Sequence, residues 1–353
     1  MTALREEIAQ QPAALANLRK YYTSPGAVPT EALRKLAAHW PPLVVFTGMG
    51  SSLFAAYPAQ AYLAGHGIRA VAWETAELLY QRLKLLGPDT LLVVVSQSGE
   101  TAEVTRLLDS LPNNVPVLAV ANVEASTLAR RARLLLPMMA GHETAVSTKT
   151  YTCSVAVLMY LAFAIARQPH WTLTHALGQA IEAQEAILDR SEMFTSATLE
   201  FFDAPPYVAL MSRGADLASV YQGALLLKEV ARVPAEPLSA AQFRHGPIEI
   251  INPAHRYVIV ARQGQPNRKA RASKLLIKLA EDIRGHGGRV LLFTDLPFGD
   301  ITNVRLIQVE PIPLGLGTLA DIVHIQLLAH DLALSAGLEP GRFWIAEQVT
   351  RVE

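Results

Sequence analysis

The sequence predicts an α/β protein built on parallel sheets. Three observations carry this expectation: short apolar runs without polar alternation, each ending in a Gly- or Ser-containing turn; helical stretches between those runs; and a return of the whole pattern in the second half of the chain. The first 40 or so residues read as helix, with Leu and Ala at helical spacing and Glu6, Glu7, Arg19 and Lys20 outside, until Pro41-Pro42 stops it. LVVFTG (Leu43 to Gly48) reads as a buried strand, and Ser51 to Leu63 as the helix that follows. IRAVAW, LLVVVS and VPVLAV repeat the strand pattern. The apolar run from Cys153 to Ala166 is short for a membrane span and reads as a buried helix. From Trp171 to Phe202 the pattern is helical with no strand, which suits a linker. The strand YVALMS then starts a second round, continued by YVIVARQG and GRVLLFTDL, so two copies of one α/β domain are expected. The expected division is a helical segment 1–40, a domain 41–170, a linker 171–202, a second domain 203–340 and a closing tail 341–353.

Composition narrows the function classes. A chain of 353 residues, 51% hydrophobic and 18% charged, buries a large core and is not disordered. Lys+Arg and Asp+Glu both number 31, a balance that argues against a nucleic-acid partner or electrostatic membrane binding. The single cysteine, Cys153, excludes a disulfide framework and a Cys-rich zinc site, and the opening MTALREEIAQ is not a secretory signal. A cytoplasmic protein is expected.

The strongest local signal is Ser96-Gln97-Ser98-Gly99-Glu100-Thr101, after the strand LLVVV and before a helix. Loops at the carboxyl ends of parallel strands bind ligands, and a helix start offers free N–H groups suited to a phosphate. The alternative is a plain helix cap, with Ser98 as N-cap. Gly48-Met49-Gly50-Ser51-Ser52 resembles the start of a dinucleotide fingerprint, with Glu74 placed like a ribose-binding acid. Leu53 stands where the third glycine belongs, so a second hydroxyl-lined turn facing the Ser96 loop fits better. Glu143, Ser147, Thr148 and Lys149 form a polar cluster that reads as a helix cap or as part of a site. No His/Asp/Glu grouping has metal-ligand spacing, so no metal is expected. Lys228 and Glu229 end an apolar helix, and the carboxylate is either a general base or half of a surface pair. His245, in the loop Phe243-Arg244-His245-Gly246-Pro247, is structural or a proton-exchanging group.

Together these strings resemble the SIS (sugar isomerase) family over nearly the whole chain. The likeness is to the tandem-SIS isomerase half of glutamine:fructose-6-phosphate aminotransferases and to related amino-sugar-phosphate deaminases and deglycases. SQSGET is similar, residue for residue, to the family's phosphate loop. Gly50-Ser51-Ser52 resembles its Gly-Thr-Ser turn, and ETAVSTKTYT, SRG, GALLLKE and FRHGPIE follow in the family's order. The resemblance implies two tandem SIS domains, each a five-stranded parallel sheet flanked by helices in a flavodoxin-like three-layer sandwich, and a homodimer with a shared active site. It implies that Ser96, Gln97, Ser98, Thr101 and Ser52 hold a sugar phosphate. Gly50, Ser51, Ser147, Lys228 and Gln348 are the further substrate-binding positions. Glu229 is implied as the base that moves a proton between C1 and C2, and His245, reaching across from the partner subunit, as the group that opens the ring. No cofactor is implied.

Departures from the family refine the expected reaction. Gln222 and Leu226 replace a Glu and a Lys of the family helix, and Glu347 or Gln348 stands where the synthases carry a Schiff-base lysine. The glutaminase half and its cysteine nucleophile are absent from the sequence. The expected activity is therefore deaminase/isomerase action on a 6-phosphorylated amino sugar of the glucosamine-6-phosphate kind, releasing amine and ketose 6-phosphate. Deglycation of fructosamine 6-phosphates, simple aldose–ketose isomerisation and a non-catalytic sugar-phosphate sensor are the alternatives.

Overall fold

The computed structural model describes residues 2–26, 32–33, 43–263, 269–299 and 301–345. They form two compact units, one of residues 10–178 with 343–345, the other of residues 2–9 with 179–342. The division falls inside the helix His170–Asp189, so the expected linker is shared out between the units.

In the first unit the four apolar runs become β1 (Leu43–Gly48), β2 (Ala70–Glu74), β3 (Thr90–Val95) and β4 (Val117–Ala121), and a fifth strand that the sequence reading did not mark, β5 (Leu134–Pro137), joins them. All pairings are parallel, in the order β2-β1-β3-β4-β5. Val44 to Phe46 and Leu91 to Val95 are almost wholly buried, because helices cover both faces. One face packs Val45, Leu92 and Val94 against Val104, Leu107 and Leu108 of the helix Ala102–Ser110. The helix Lys149–Ile165 is apolar all round from Val155 onward and buried at every residue, its first turns satisfying their polar groups by hydrogen bonds.

The second unit holds β6 (Val208–Ser212), β7 (Ala235–Ser239), β8 (Arg256–Ala261), β9 (Arg289–Thr294) and β10 (Val304–Gln308). Its order is β10-β9-β8-β6-β7, also parallel; read from β7 it repeats the first sheet strand for strand. The expected pair of five-stranded parallel sheets flanked by helices is present. Helices Leu217–Glu229 and Thr318–Ser335 pack on each other in this unit.

Several helices break where continuity was expected. The N-terminal stretch is two helices, Ala3–Ala9 and Gln11–Thr23, with Pro12 in the first turn of the second, and Glu7 is buried rather than outside. Ser51–Phe54 and Tyr57–Gly65 replace one long helix, and Pro58 sits in the first turn of the latter. A proline lacks the N–H that a helix interior needs but that a first turn can spare, so it restarts the helix. His170–Asp189 and Ser191–Phe202 meet at Arg190.

Candidate functional site

The first sheet reverses its winding between β1 and β3, the place where open α/β sheets leave a ligand crevice. Thr47 pairs with Val94, so the turn after β1 and the loop after β3 leave the sheet side by side. Ser96 to Thr101 form the second of these. Ser96 is buried and turned inward: its Oγ accepts the Gly99 N–H at 3.1 Å and lies 3.2 Å from Thr101 Oγ1. It braces the loop, while Gln97, Ser98 and Thr101 are half-buried at its mouth. Ser98 is not the helix cap. The helix begins at Ala102, Thr101 is the N-cap, and no side chain caps the first turn. The N–H groups of that turn lack the partners that a helix interior supplies and face the carboxyl end of β3, with the positive end of the helix dipole behind them.

Glycine makes both loops possible. Gly50 adopts φ 50°, and Gly99 adopts φ 65°, where a Cβ would lie 2.2 Å from Ser126 Oγ. Ser51 and Ser52 follow as the start of a short helix, both half-buried. Glu74 is used locally: its carboxylate accepts from Ala76 N and Glu77 N at 3.0 Å each, which excludes the ribose-binding role considered above. The Glu143 cluster is a built cap. Glu143 Oε1 accepts from Thr148 N (3.0 Å), Thr148 Oγ1 (2.8 Å) and Thr150 N (3.3 Å), and Thr150 Oγ1 donates to Oε2. Burial pushes this carboxyl up, against the pull of those hydrogen bonds. Lys149 donates to Gln10 Oε1 (2.6 Å) and His142 O (2.5 Å), and Ser147 stays half-buried on the loop they fix.

The second unit places Glu229 as the last residue of Leu217–Glu229. It is half-buried, and burial raises its carboxyl to about 7 despite the neighbouring Lys228, which is exposed. Gln222 and Leu226, the departures on this helix, are both buried. His245 follows β7: Phe243 anchors the turn in the core, Arg244 is held by Asp282 at 2.7 Å, and His245 is left exposed between them and Gly246. Glu229 precedes β7 and His245 follows it, so the five-residue strand separates them within one copy of the chain. Glu347 and Gln348 lie outside the described residues. No cluster of three or more His, Cys, Asp or Glu among the described residues is placed to hold a metal ion.

Residues 41–166 match the SIS domain model. The chain is 28% identical to the glutamine–fructose-6-phosphate aminotransferase of Pyrococcus horikoshii over 313 residues, covering 85% of this chain and 50% of that protein. It is 28% identical over 357 residues to the Zymomonas mobilis protein of the same name, covering 95% and 56%. The chain thus spans about half the length of the curated relatives it matches. Among solved structures, the C-terminal domain of the Francisella tularensis glucosamine-fructose-6-phosphate aminotransferase superposes with TM-score 0.86 at 20% identity, over 97% of this chain and 98% of that one. Glucosamine-6-phosphate deaminase from Thermotoga maritima gives 0.72 at 21% identity, over 99% of both chains. At these identities the superpositions establish shared fold. No helix among the described residues is long and apolar enough to cross a membrane.

Within the stretch that matches the SIS domain model the structure adds residues that the strings did not mark. Asn122, just beyond β4, donates its backbone N–H to Gln97 O (3.1 Å). Its side chain accepts from Ala140 N (3.1 Å) and donates to Gly141 O (2.7 Å), so it ties the Ser96 loop to the segment after β5. Glu100 accepts from Thr127 N at 2.6 Å, and Leu128 N donates to Gly99 O at 3.1 Å. The one available signal was an Asn directly after an apolar strand, which is common enough to pass as an ordinary turn residue.

Proposed function

We propose that the chain is an enzyme of phosphorylated amino sugars, built from two SIS domains, which deaminates a 2-amino aldose 6-phosphate to the ketose 6-phosphate. The observation that carries this reading is the uncapped helix start at Ala102, with Ser98 and Thr101 beside it, in the crevice between β1 and β3. A dianionic phosphate suits N–H groups and hydroxyls gathered at a helix dipole. Gln97 and Ser52 complete that pocket, Gly50, Ser51 and Ser147 border the sugar, and Lys228 and Gln348 are the further contacts.

The chemistry needs two proton-transfer groups. The imidazole of His245 opens the ring by protonating the ring oxygen as O1 loses its proton. Glu229 then takes the proton from C2 and returns it to C1, and with an amine proton passing to O1 the aldehyde and C2 amine become a C1 hydroxymethyl group and a C2 imine. Water adds to that C=N bond and ammonia leaves. A carboxyl near 7 is suited to both halves of such a transfer. The separation of Glu229 and His245 along β7 favours a homodimer in which each site takes its histidine from the partner copy. The place of the synthase lysine is held by Glu347 or Gln348, which favours a substrate that already carries its nitrogen over covalent ketose capture.

The test is ammonia release over a panel of 2-amino aldose 6-phosphates, fructosamine 6-phosphates and plain hexose 6-phosphates. Ammonia from the amino aldoses supports the reading, and amine from the fructosamines would make the protein a deglycase. Interconversion of the plain sugars alone would make it an isomerase. Tight binding with no turnover would make it a sensor.

A further inference from the structure

The second unit contains a cavity of about 330 Å³ that none of the residues assigned above lines. It runs along β10 from Arg305 to Gln308 and on past Val309 and Glu310, with Arg262, which directly follows β8, beside it. Its volume is in the small-molecule range. Ile187 and Phe194 give it apolar wall. Arg190 and Arg305 also line it; both are exposed, and neither has a carboxylate partner among the described residues. Arg262 is fixed by Asp321, with Nε and Nη2 at 2.7 and 2.6 Å from its two oxygens, and by Glu310 O at 2.6 Å, so this wall is rigid.

His324 also lines the cavity. It is 8% exposed, its ring centroid 4.6 Å from that of Phe194 and 5.5 Å from that of Phe293, and its Nδ1 is buried with no hydrogen-bond partner. Burial, with the Arg262 charge adding to it, lowers this imidazole to about 3, so it is neutral at physiological pH. An unpaired buried nitrogen is a cost that a packing role would have avoided with an apolar residue.

We infer that this cavity is a second ligand site, for a small organic oxyanion whose apolar body lies against Phe194 and His324 and whose charge meets Arg190 and Arg305. The site stands apart from the phosphosugar reading and does not depend on it.

Titration calorimetry on the full chain tests it, with benzoate and phenyl phosphate as anionic probes and benzyl alcohol as the neutral one. The expected result is that the anions bind at least about tenfold more tightly than the alcohol, as charge-assisted hydrogen bonds require. Arg305→Ala and Arg190→Ala, both at exposed positions, should each remove most of that difference. Whichever anion binds better identifies the head group. Equal affinity for the alcohol, indifference to both arginine variants, displacement by fructose 6-phosphate, or no binding below about 10 mM would each overturn the assignment.

Discussion

Glu229 is the residue whose protonation state the proposed chemistry turns on. Its carboxyl is raised from about 4.5 to about 7 because burial penalises the charge more than Lys228 supports it. A raised carboxyl means that the folded chain holds this proton more tightly than the unfolded chain. Its contribution to stability is therefore lost as pH rises from about 4.5 to about 7. Glu229→Gln should flatten that part of the pH–stability curve, measured as urea midpoints of wild type and variant across the window. The rate should show the complementary limb, rising through pH 7 as the base form appears. The variant should also lose about 10²–10⁴-fold in kcat with substrate affinity nearly kept. An unchanged kcat would return Glu229 to a surface role. The sequence placed this glutamate on the right helix but could not show its burial, which depends on how Leu217–Glu229 packs in the second unit.

Among the elements, the Ser96 loop shows what a string of residues can and cannot tell. The order of SQSGET after an apolar strand was enough to locate a loop that turns into a helix. It was not enough to place the cap, because whether Ser98 or Thr101 ends the turn depends on Gly99 at φ 65° and on Ser126 packed against it. Nor could it reveal that Ser96 faces inward, or that Asn122 holds the loop from another strand. Those contacts join positions far apart in sequence, and local pattern carries no trace of them. Asn122→Ala removes two side-chain hydrogen bonds at a half-buried position and should cost about 1–2 kcal/mol of stability by denaturant titration. It should also weaken phosphosugar binding, because the segment at Ala140 and Gly141 would no longer be held to the residue whose backbone N–H fixes the Gln97 carbonyl. Full retention of both would mean that the loop holds its shape unaided.

For the whole molecule, the likeness of the two sheets was legible in part, because a strand buried on both faces is written as an uninterrupted apolar run. Four such runs stand out in the first half and three in the second, whereas β5 (LLLP), β7 (AEPLS) and β10 (VRLIQ), short or partly exposed, do not. The sheet orders then agree strand for strand. The helix breaks at residues 55–56 and 190 were less legible, since a proline can stop a helix or begin one and the periodicity on either side looks the same. The proposed dimer gives a test at this scale. Glu229→Gln and His245→Ala chains, each inactive alone, should recover roughly a quarter of wild-type activity when co-expressed. Half of randomly assorted dimers then carry one intact site of two. No recovery, in dimers shown to exchange, would place both groups in one copy.

The central claim is that the crevice between β1 and β3 holds the phosphate of a sugar. Calorimetry with fructose 6-phosphate and with fructose, on wild type and Ser98→Ala, addresses it most directly. The account expects binding of the phosphorylated sugar only, weakened in the variant by about 1–3 kcal/mol, the scale of one hydrogen bond to a charged group. Equal affinity for the two sugars, or a variant that binds the phosphate as well as wild type does, would contradict it.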